Sequence, residues 1–178
     1  ILKVLAEKGD MDGVIRYLDE LDKDLATIEP IVRTGNSMAD AILNSKISLA
    51  CARDITVRVD AHIPFRLRTS DLDLCVILGN LFDNAIEANL PLPPQERMIR
   101  VYMDMKGSQL YISFTNMTAK KKQTRVRGRF RTTKGEGHGF GLMRIDGIVE
   151  RYEGYLNRSS EDGAFTTEIL LPQDGEAQ

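Results

Sequence analysis

The segment 70–89 is the feature that most constrains the fold of this chain. Its apolar residues recur at helical spacing along a broad face, and a proline-rich segment follows it. Asn80, Asn84 and Glu87 fall at positions i, i+4 and i+7, on one face of the helix, with Asp83 beside them. Asn and Asp are poor helix formers, because their side chains compete for backbone hydrogen bonds. Such a face on a buried helix indicates contact with a metal or a polar ligand; a solvent-facing polar stripe is the alternative.

The other periodic segments predict an α+β fold. A helix is expected at 37–52, where Ser37 and Asp40 have the spacing of a capping box, and another follows the glycines at 135–141. Strands are expected at 55–59, 98–105, 110–116, 155–159 and 164–171. Helices and strands do not repeat in the order of a parallel sheet. We therefore predict a two-layer α/β sandwich, whose mixed and mostly antiparallel sheet is covered by helices on one face.

Residues 1–32 are predicted to be a separate helical segment, followed by a domain at 33–178. Gly9 and Asp10 interrupt a short helical pattern. Apolar residues then recur at spacings of three and four: Met11, Val14, Leu18, Leu21, Leu25 and Ile28. The opposite face is almost wholly charged, so this narrow stripe needs another helix to cover it. A dimer or helical bundle is favoured, and packing against the chain's own domain is the alternative.

The composition is that of a globular protein, since 42% of the 178 residues are apolar and 28% are charged. No apolar run approaches the ~18–20 residues that cross a bilayer. The first residue is Ile1 rather than Met, so we expect the chain to be part of a longer protein, with any membrane segment upstream. Cys51 and Cys75 lack metal-ligand spacing and are expected to be buried free thiols.

Basic residues concentrate in one stretch. Residues 120–131 contain seven bases and no acid, although the net charge of the whole chain is −2. Such a local excess suggests an anionic ligand rather than a surface made for nucleic acid. A nucleic-acid patch is the weaker alternative, because Phe130 is the only aromatic residue of the run that could stack on a base.

A glycine cluster precedes the last predicted helix. Residues 132–142 read TTKGEGHGFGL, with a glycine at every second position from Gly135 to Gly141. Glycines let the backbone approach a ligand and turn its N–H groups towards an anion, the helix N-terminus adds a partial positive charge, and Lys134 adds a full one. The P-loop pattern and the G-x-G-x-x-G pattern are both absent from the sequence, which disfavours the two common nucleotide-binding folds. A flexible hinge is the alternative use of these glycines.

Taken together, these motifs bring a family into view. The chain resembles sensor histidine kinases of the GHKL superfamily, because it carries their N-box as LGNLFDNAIEAN and their second glycine box as GHGFGL. Over about residues 10–172 it is most similar to the quorum-sensing accessory-gene-regulator sensors; TGNSMADAILNSKISLA and EDGAFTTEILLP resemble the segments that enter and close their ATP-binding domain. The resemblance implies the Bergerat ATP-binding fold, preceded by part of a helical dimerisation hairpin. It also implies a cytoplasmic protein histidine kinase that uses ATP and Mg²⁺.

The resemblance implies roles for individual residues. Asn84 would be the Mg²⁺ ligand, Asn80 a polar partner in the phosphate region, and Asn116 the acceptor for the adenine amino group. The residues implied to hold the triphosphate are Thr133, Lys134, Gly137, His138, Gly139, Gly141 and Leu142. The basic loop 117–135 would close over the nucleotide as a lid. A single Asn is sufficient for Mg²⁺, which takes most of its ligands from phosphate oxygens and water.

Two departures from the family pattern limit these expectations. Most histidine kinases carry D-x-G-x-G where this chain reads FTNMT, so Asn116 offers an uncharged acceptor in place of a carboxylate. The phosphoacceptor histidine of the family lies in the first dimerisation helix, of which we expect only the last turn or two, residues 1–8, in this chain. Neither His62 nor His138 fits that position, so the resemblance implies a phosphoacceptor upstream of this chain. No catalytic residue is therefore assigned, and we do not expect this chain to phosphorylate itself.

The resemblance also implies partners. Besides ATP, we expect a response regulator and a second copy of the chain bound through the N-terminal helices. We expect no nucleic acid, and a membrane only through segments upstream of this chain. The alternative function is a degenerate GHKL domain that acts as a dimeric interaction module without efficient catalysis, and the Asn116 departure is its best support.

Overall fold

The computed structural model describes residues 31–119, 125–126, 129–130, 140–161 and 163–174, together with Met11 and Ile15. The chain divides into two compact units, Ile1–Ile31 and Val32–Gln178. Met11 and Ile15 are helical. The remaining residues of the predicted apolar stripe lie outside the described residues, so the N-terminal dimerisation segment stays a prediction.

The second unit is an α+β domain. Its helices are α1 (Ser37–Cys51), α2 (Asp71–Asn89) and α3 (Phe140–Arg151), and its strands are β1 (Thr56–His62), β2 (Met98–Lys106), β3 (Gln109–Met117), β4 (Arg125–Val126), β5 (Arg129–Phe130), β6 (Tyr155–Glu161) and β7 (Ala164–Pro172). Five strands form one sheet in the order β1-β2-β3-β7-β6. β1 runs parallel to β2, and every other neighbouring pair in this sheet is antiparallel. The predicted mixed, mostly antiparallel sheet is confirmed.

One pair of strands departs from the prediction. β4 and β5 form an antiparallel pair of two residues each, Arg125 facing Phe130 and Val126 facing Arg129. The sequence predicts no regular structure between residues 117 and 135, because this stretch has no apolar periodicity. Backbone pairing over two residues does not need such periodicity, which is why the pattern misses it.

The helices cover one face of the sheet because the strands alternate in polarity. On β3, Leu110, Ile112 and Phe114 are buried, whereas the residues between them are only half-buried. Phe82 of α2 is fully buried and meets Phe114 edge to face, with ring centroids 5.0 Å apart. Burying an aromatic side chain of this size stabilises the fold by roughly 2–3 kcal/mol. This contact fixes α2 over the centre of the sheet.

The start of α1 corrects one prediction. The N-cap is Asn36, whose side-chain oxygen accepts the backbone N–H of Ala39, and Ser37 is already inside the helix. The Asp40 carboxylate instead accepts both the N–H and the hydroxyl of Thr34, each at 2.7 Å. The predicted capping box at Ser37 is wrong because Asn36 is an equally good cap and Thr34 competes for the carboxylate.

The ends of α2 agree with the sequence. Ser70 caps the helix and accepts the N–H of Asp73. At the other end Asn89 is fully buried, donates to the carbonyl of Ala85 at 2.8 Å and accepts the N–H of Met98 at 2.9 Å. Asn89 thereby links the end of α2 to the start of β2.

The two cysteines are less buried than the sequence predicts. Cys51 is exposed and Cys75 is half-buried, so the prediction of two buried thiols is wrong; Cys51 lies on the solvent side of the last turn of α1. Burial raises the pKa of the Cys75 thiol, with Asp71 acting in the same direction, which keeps it a poor nucleophile. Among the described residues, no helix is both long and apolar enough to span a bilayer.

Candidate functional site

The candidate site is built on α2, which packs against both α1 and α3. The predicted polar face of this helix is present: Asn80 and Asn84 are half-buried, and Glu87 is exposed. The opposite face contributes Leu78, Phe82 and Ala85 to the core. The helix thus holds its two asparagines on the face turned away from the core.

Asn84 has an incomplete environment. Its amide nitrogen, Nδ2, is buried and has no hydrogen-bond partner in the part of the chain that the structure describes. A buried donor without a partner costs about 1–3 kcal/mol. Native proteins rarely keep such groups unless a ligand, ion or water completes them. The Asn84 amide is therefore a group that a bound ligand can use.

Asn80 brings the glycine cluster to this helix. Its Nδ2 donates to the carbonyl of Val76 at 2.6 Å, which leaves Oδ1 directed at the first turn of α3. A Cβ atom added at Gly141 would lie 2.6 Å from that Oδ1, closer than atoms in proteins can pack. A side chain at position 141 would therefore collide with Asn80. The N-box and the glycine box meet at this contact.

Asn116 lies deeper than its sequence position suggests. Its side chain is 6% exposed and faces the helices, because it pairs with the buried Ile99 of β2. Its Nδ2 donates to the carbonyl of Met117 at 2.9 Å, and its Oδ1 accepts no hydrogen bond from the described residues. The bond to Met117 fixes the amide so that its acceptor end is the one left open. β3 continues to Met117 and pairs there with β7, so Asn116 lies inside the strand rather than at its end.

The structure describes half of the predicted site residues. Besides the three asparagines and Gly141, it places Leu142 half-buried at the start of α3, against the core. The predicted triphosphate residues that lie outside the described residues are Thr133, Lys134, Gly137, His138 and Gly139. Most of the predicted lid at 117–135 lies outside them as well. Their roles stay predictions.

A polar network that the sequence does not reveal joins α2 to α3 below the asparagines. The Asp73 carboxylate accepts from Arg151, Tyr152 and Ser70, each at 2.8 Å. The Tyr152 hydroxyl also accepts the backbone N–H of Ser70 at 3.0 Å. Burial alone would raise the pKa of Asp73, but the hydrogen bonds from Tyr152 and Ser70 and the charge of Arg151 outweigh it and hold that pKa below its usual value. Only the Ser70–Asp73 spacing, that of an N-cap with an acid three residues later, gives any signal in the sequence.

A second unpredicted contact comes from α1. The ammonium of Lys46 lies 2.5 Å from the carboxylate of Asp83, the residue before Asn84. Lys46 is 22% exposed and Asp83 is 53% exposed. No local pattern announces this pair, because its members are 37 residues apart.

The described residues hold no group of three or more His, Cys, Asp or Glu that could bind a metal by itself. A divalent cation at this site would therefore depend on ligand oxygens in addition to protein groups. Mg²⁺ behaves in this way, since it binds through one or two protein ligands together with phosphate oxygens and water. Only the amide oxygen of Asn84, Oδ1, could bind such a cation, whereas its unpartnered donor Nδ2 suits a phosphate or water oxygen.

Comparison with known proteins decides the family. A family model described as the GHKL domain matches residues 70–172, from the cap of α2 to the end of β7. The chain belongs to the GHKL family. The matched region contains α2, Asn116 and Gly141, so the contact between the two motifs lies inside the GHKL domain.

Two curated relatives of this GHKL chain are sensor kinases. A probable C4-dicarboxylate sensor kinase of Halalkalibacterium halodurans is 28% identical over 170 residues, which cover 89% of this chain and 32% of the relative. The sensor histidine kinase ZraS of Escherichia coli (strain K12) is 29% identical over 175 residues, which cover 96% of this chain and 37% of ZraS. The chain spans about a third of the length of these relatives.

Solved structures share the fold. The nucleotide-free catalytic domain of the histidine kinase ThkA superposes with a TM-score of 0.60 at 18% identity, over 79% of this chain and 93% of that one. The mycobacterial sensor histidine kinase MprB gives 0.55 at 18% identity, over 74% and 93%. The GHKL domain described above therefore has the fold of histidine kinase catalytic domains.

Proposed function

We propose that this chain is the ATP-binding catalytic domain of a two-component sensor histidine kinase. It transfers the γ-phosphoryl group of ATP to a histidine that is neither His62 nor His138. The observation that carries this proposal is the buried, unpartnered amide of Asn84 beside the contact of Asn80 with Gly141. The names of the two curated relatives support the same activity.

Each end of the nucleotide has a suitable group. The open Oδ1 of Asn116 accepts a hydrogen bond from the adenine amino group, which guanine cannot supply at that position. The first turn of α3 presents the N–H groups of Gly141 and Leu142 to the phosphates, where the helix dipole favours negative charge. Lys134 and the other predicted glycine-box residues complete this cradle.

Asn84 would hold Mg²⁺ through its side-chain oxygen Oδ1, and its unpartnered Nδ2 would donate to a phosphate oxygen. When bound, Mg²⁺ neutralises charge on the phosphates, which is the main requirement of phosphoryl transfer. The protein's own contribution is to position the nucleotide and to exclude water. α2 can position the nucleotide rigidly because its apolar face is fixed on the sheet through Phe82.

The wider setting follows from this activity. A response regulator receives the phosphoryl group, residues 1–32 pair with a second copy of the chain, and the domain works in the cytoplasm, where ATP is available. The N-box and glycine-box motifs support membership of the accessory-gene-regulator branch of these sensors.

Titration of the chain with a fluorescent ATP analogue, with and without Mg²⁺, tests the proposal. We expect binding that depends on Mg²⁺ in the wild-type chain and is lost in Asn84→Ala. Asn157→Ala is the matched control, because Asn157 is also half-buried but bonds to Glu168. Absence of binding by the wild-type chain at high protein concentration would reject catalysis and favour the degenerate interaction module.

A further inference from the structure

We propose that Lys46 is a positioning residue for nucleotide binding, because it neutralises Asp83 at the edge of the phosphate site. The inference rests on the proposed function. Lys46 lies on α1, a helix that has no predicted role in the site. Lys46 acts through Asp83 rather than by touching the nucleotide.

The position of Asp83 creates the need for this pair. Asp83 precedes Asn84 on α2, with Cα atoms ~3.8 Å apart, and its side chain flanks the polar face that Asn80 and Asn84 form. A polyanionic ligand held at Asn84 would therefore have a carboxylate beside it. If the Asp83 carboxylate were unpaired, its negative charge would repel the phosphates of such a ligand.

The geometry of Lys46 suits it to remove this repulsion. Its ammonium lies 2.5 Å from the Asp83 carboxylate. With 22% of its side chain exposed, Lys46 is more enclosed than Asp83, which is 53% exposed. The pair also directs the Asp83 carboxylate towards α1.

If Lys46 had a purely structural role, its removal would lower the stability of the fold rather than the affinity for the nucleotide. Ion pairs with a half-exposed partner contribute little to the free energy of unfolding. Removing Lys46 should therefore leave the fold intact while exposing the charge of Asp83. Repulsion between two like charges that are partly screened by water corresponds to roughly a three- to tenfold change in affinity.

A double-substitution cycle on the full chain tests the inference, with the fluorescent ATP analogue and Mg²⁺ as the probe. We expect Lys46→Met to weaken binding by about three- to tenfold and Lys46→Arg to bind like the wild type. Removing the acid as well, in Lys46→Met/Asp83→Asn, should restore the affinity to within about twofold of the wild-type value. Lys106→Met is the matched control, because it breaks another Lys–Asp pair, with Asp104, on the sheet face opposite the helices.

Several outcomes would overturn the inference. Wild-type affinity in Lys46→Met would show that the charge of Asp83 does not reach the nucleotide. A double variant as weak as Lys46→Met would show that Lys46 does not act through Asp83. If Lys46→Met fails to unfold cooperatively in urea, Asp83→Asn alone decides: it should bind more tightly than wild type, and unchanged or weaker binding rejects the idea. Absence of binding by the wild-type chain would instead reject the proposed function.

Discussion

Polar side chains of α2 lie in two contrasting environments. At the N-terminal end of α2, the carboxylate of Asp73 accepts from Ser70, Arg151 and Tyr152. Further along α2, the amide nitrogen of Asn84 is buried and has no partner in the part of the chain that the structure describes. The same helix therefore contains a completed polar network and an incomplete polar group.

The difference between the Asp73 network and the Asn84 region indicates which residues stabilise the fold and which bind a ligand. A completed network stabilises the packing of the helices, whereas a buried group without a partner costs free energy until a ligand completes it. The Asp73 network is therefore expected to hold α3 against α2, and the Asn84 region to bind the nucleotide. Substitutions in the two parts should affect different measurements.

Replacing Asp73 should have the largest effect on stability. Asp73 is 14% exposed, and Asp73→Ala removes the acceptor of three hydrogen bonds. We expect the free energy of unfolding in urea to fall by about 2–4 kcal/mol. Asp104→Ala, at an exposed carboxylate on the other side of the sheet, should change it little. A loss for Asp73→Ala below about 1 kcal/mol would show that the network does not hold the two helices together.

Gly141→Ala should weaken binding more than it weakens the fold. The added Cβ would meet Oδ1 of Asn80 at 2.6 Å, and Asn80 is held by its bond to Val76. Either the Asn80 amide, which its bond to Val76 holds, or the start of α3 must then shift, so we expect the ATP analogue to bind about tenfold more weakly, a loss of roughly 1.4 kcal/mol. Gly147→Ala is the control on the same helix, because no atom lies within 4 Å of its Cβ and alanine favours the helix. Equal affinities in the two variants would contradict the contact.

The sequence predicts the parts of this comparison that depend on local pattern. The period of the apolar residues and the prolines that follow predict α2, and alternation predicts β2 and β3. The placement of Asn80 and Asn84 on one face follows from helix geometry alone. Each of these predictions needs only residues that are close together in the chain.

The remainder depends on contacts between distant residues. Nothing near Asp73 in the sequence points to Arg151 or Tyr152, and nothing near Asp83 points to Lys46. The burial of Asn116 follows from the pairing of β3 with β7, which sequence alternation does not fix. Side-chain partners of this kind are set by how the elements pack, after the elements have formed.

Acid should weaken the Asp73 network by a smaller amount than the Asp73→Ala substitution. The pKa of Asp73 is lowered in the folded protein, so its contribution to stability is fully present above the unfolded pKa of about 3.9 and is lost as the pH falls through the lower folded value. We expect the free energy of unfolding to fall more steeply between about pH 5 and pH 3 in the wild type than in Asp73→Asn. Glu168 and Asp104 also have lowered pKa values, so only the difference between these two proteins reports on Asp73. Identical slopes would show that Asp73 is not stabilised as a carboxylate.

Asn84→Ala should have the smallest effect on the fold. The substitution removes a buried donor that has no partner among the described residues, so the lost packing is offset by the removed desolvation cost. We expect the free energy of unfolding to stay within about 1 kcal/mol of the wild type, although Mg²⁺-dependent nucleotide binding is lost. Asn89→Ala is the matched control on the same helix, because both ends of the buried Asn89 amide are bonded, and it should lose about 2–3 kcal/mol. If the two variants lose equal stability, Asn84 has a structural partner, and the contrast between the two regions of α2 does not hold.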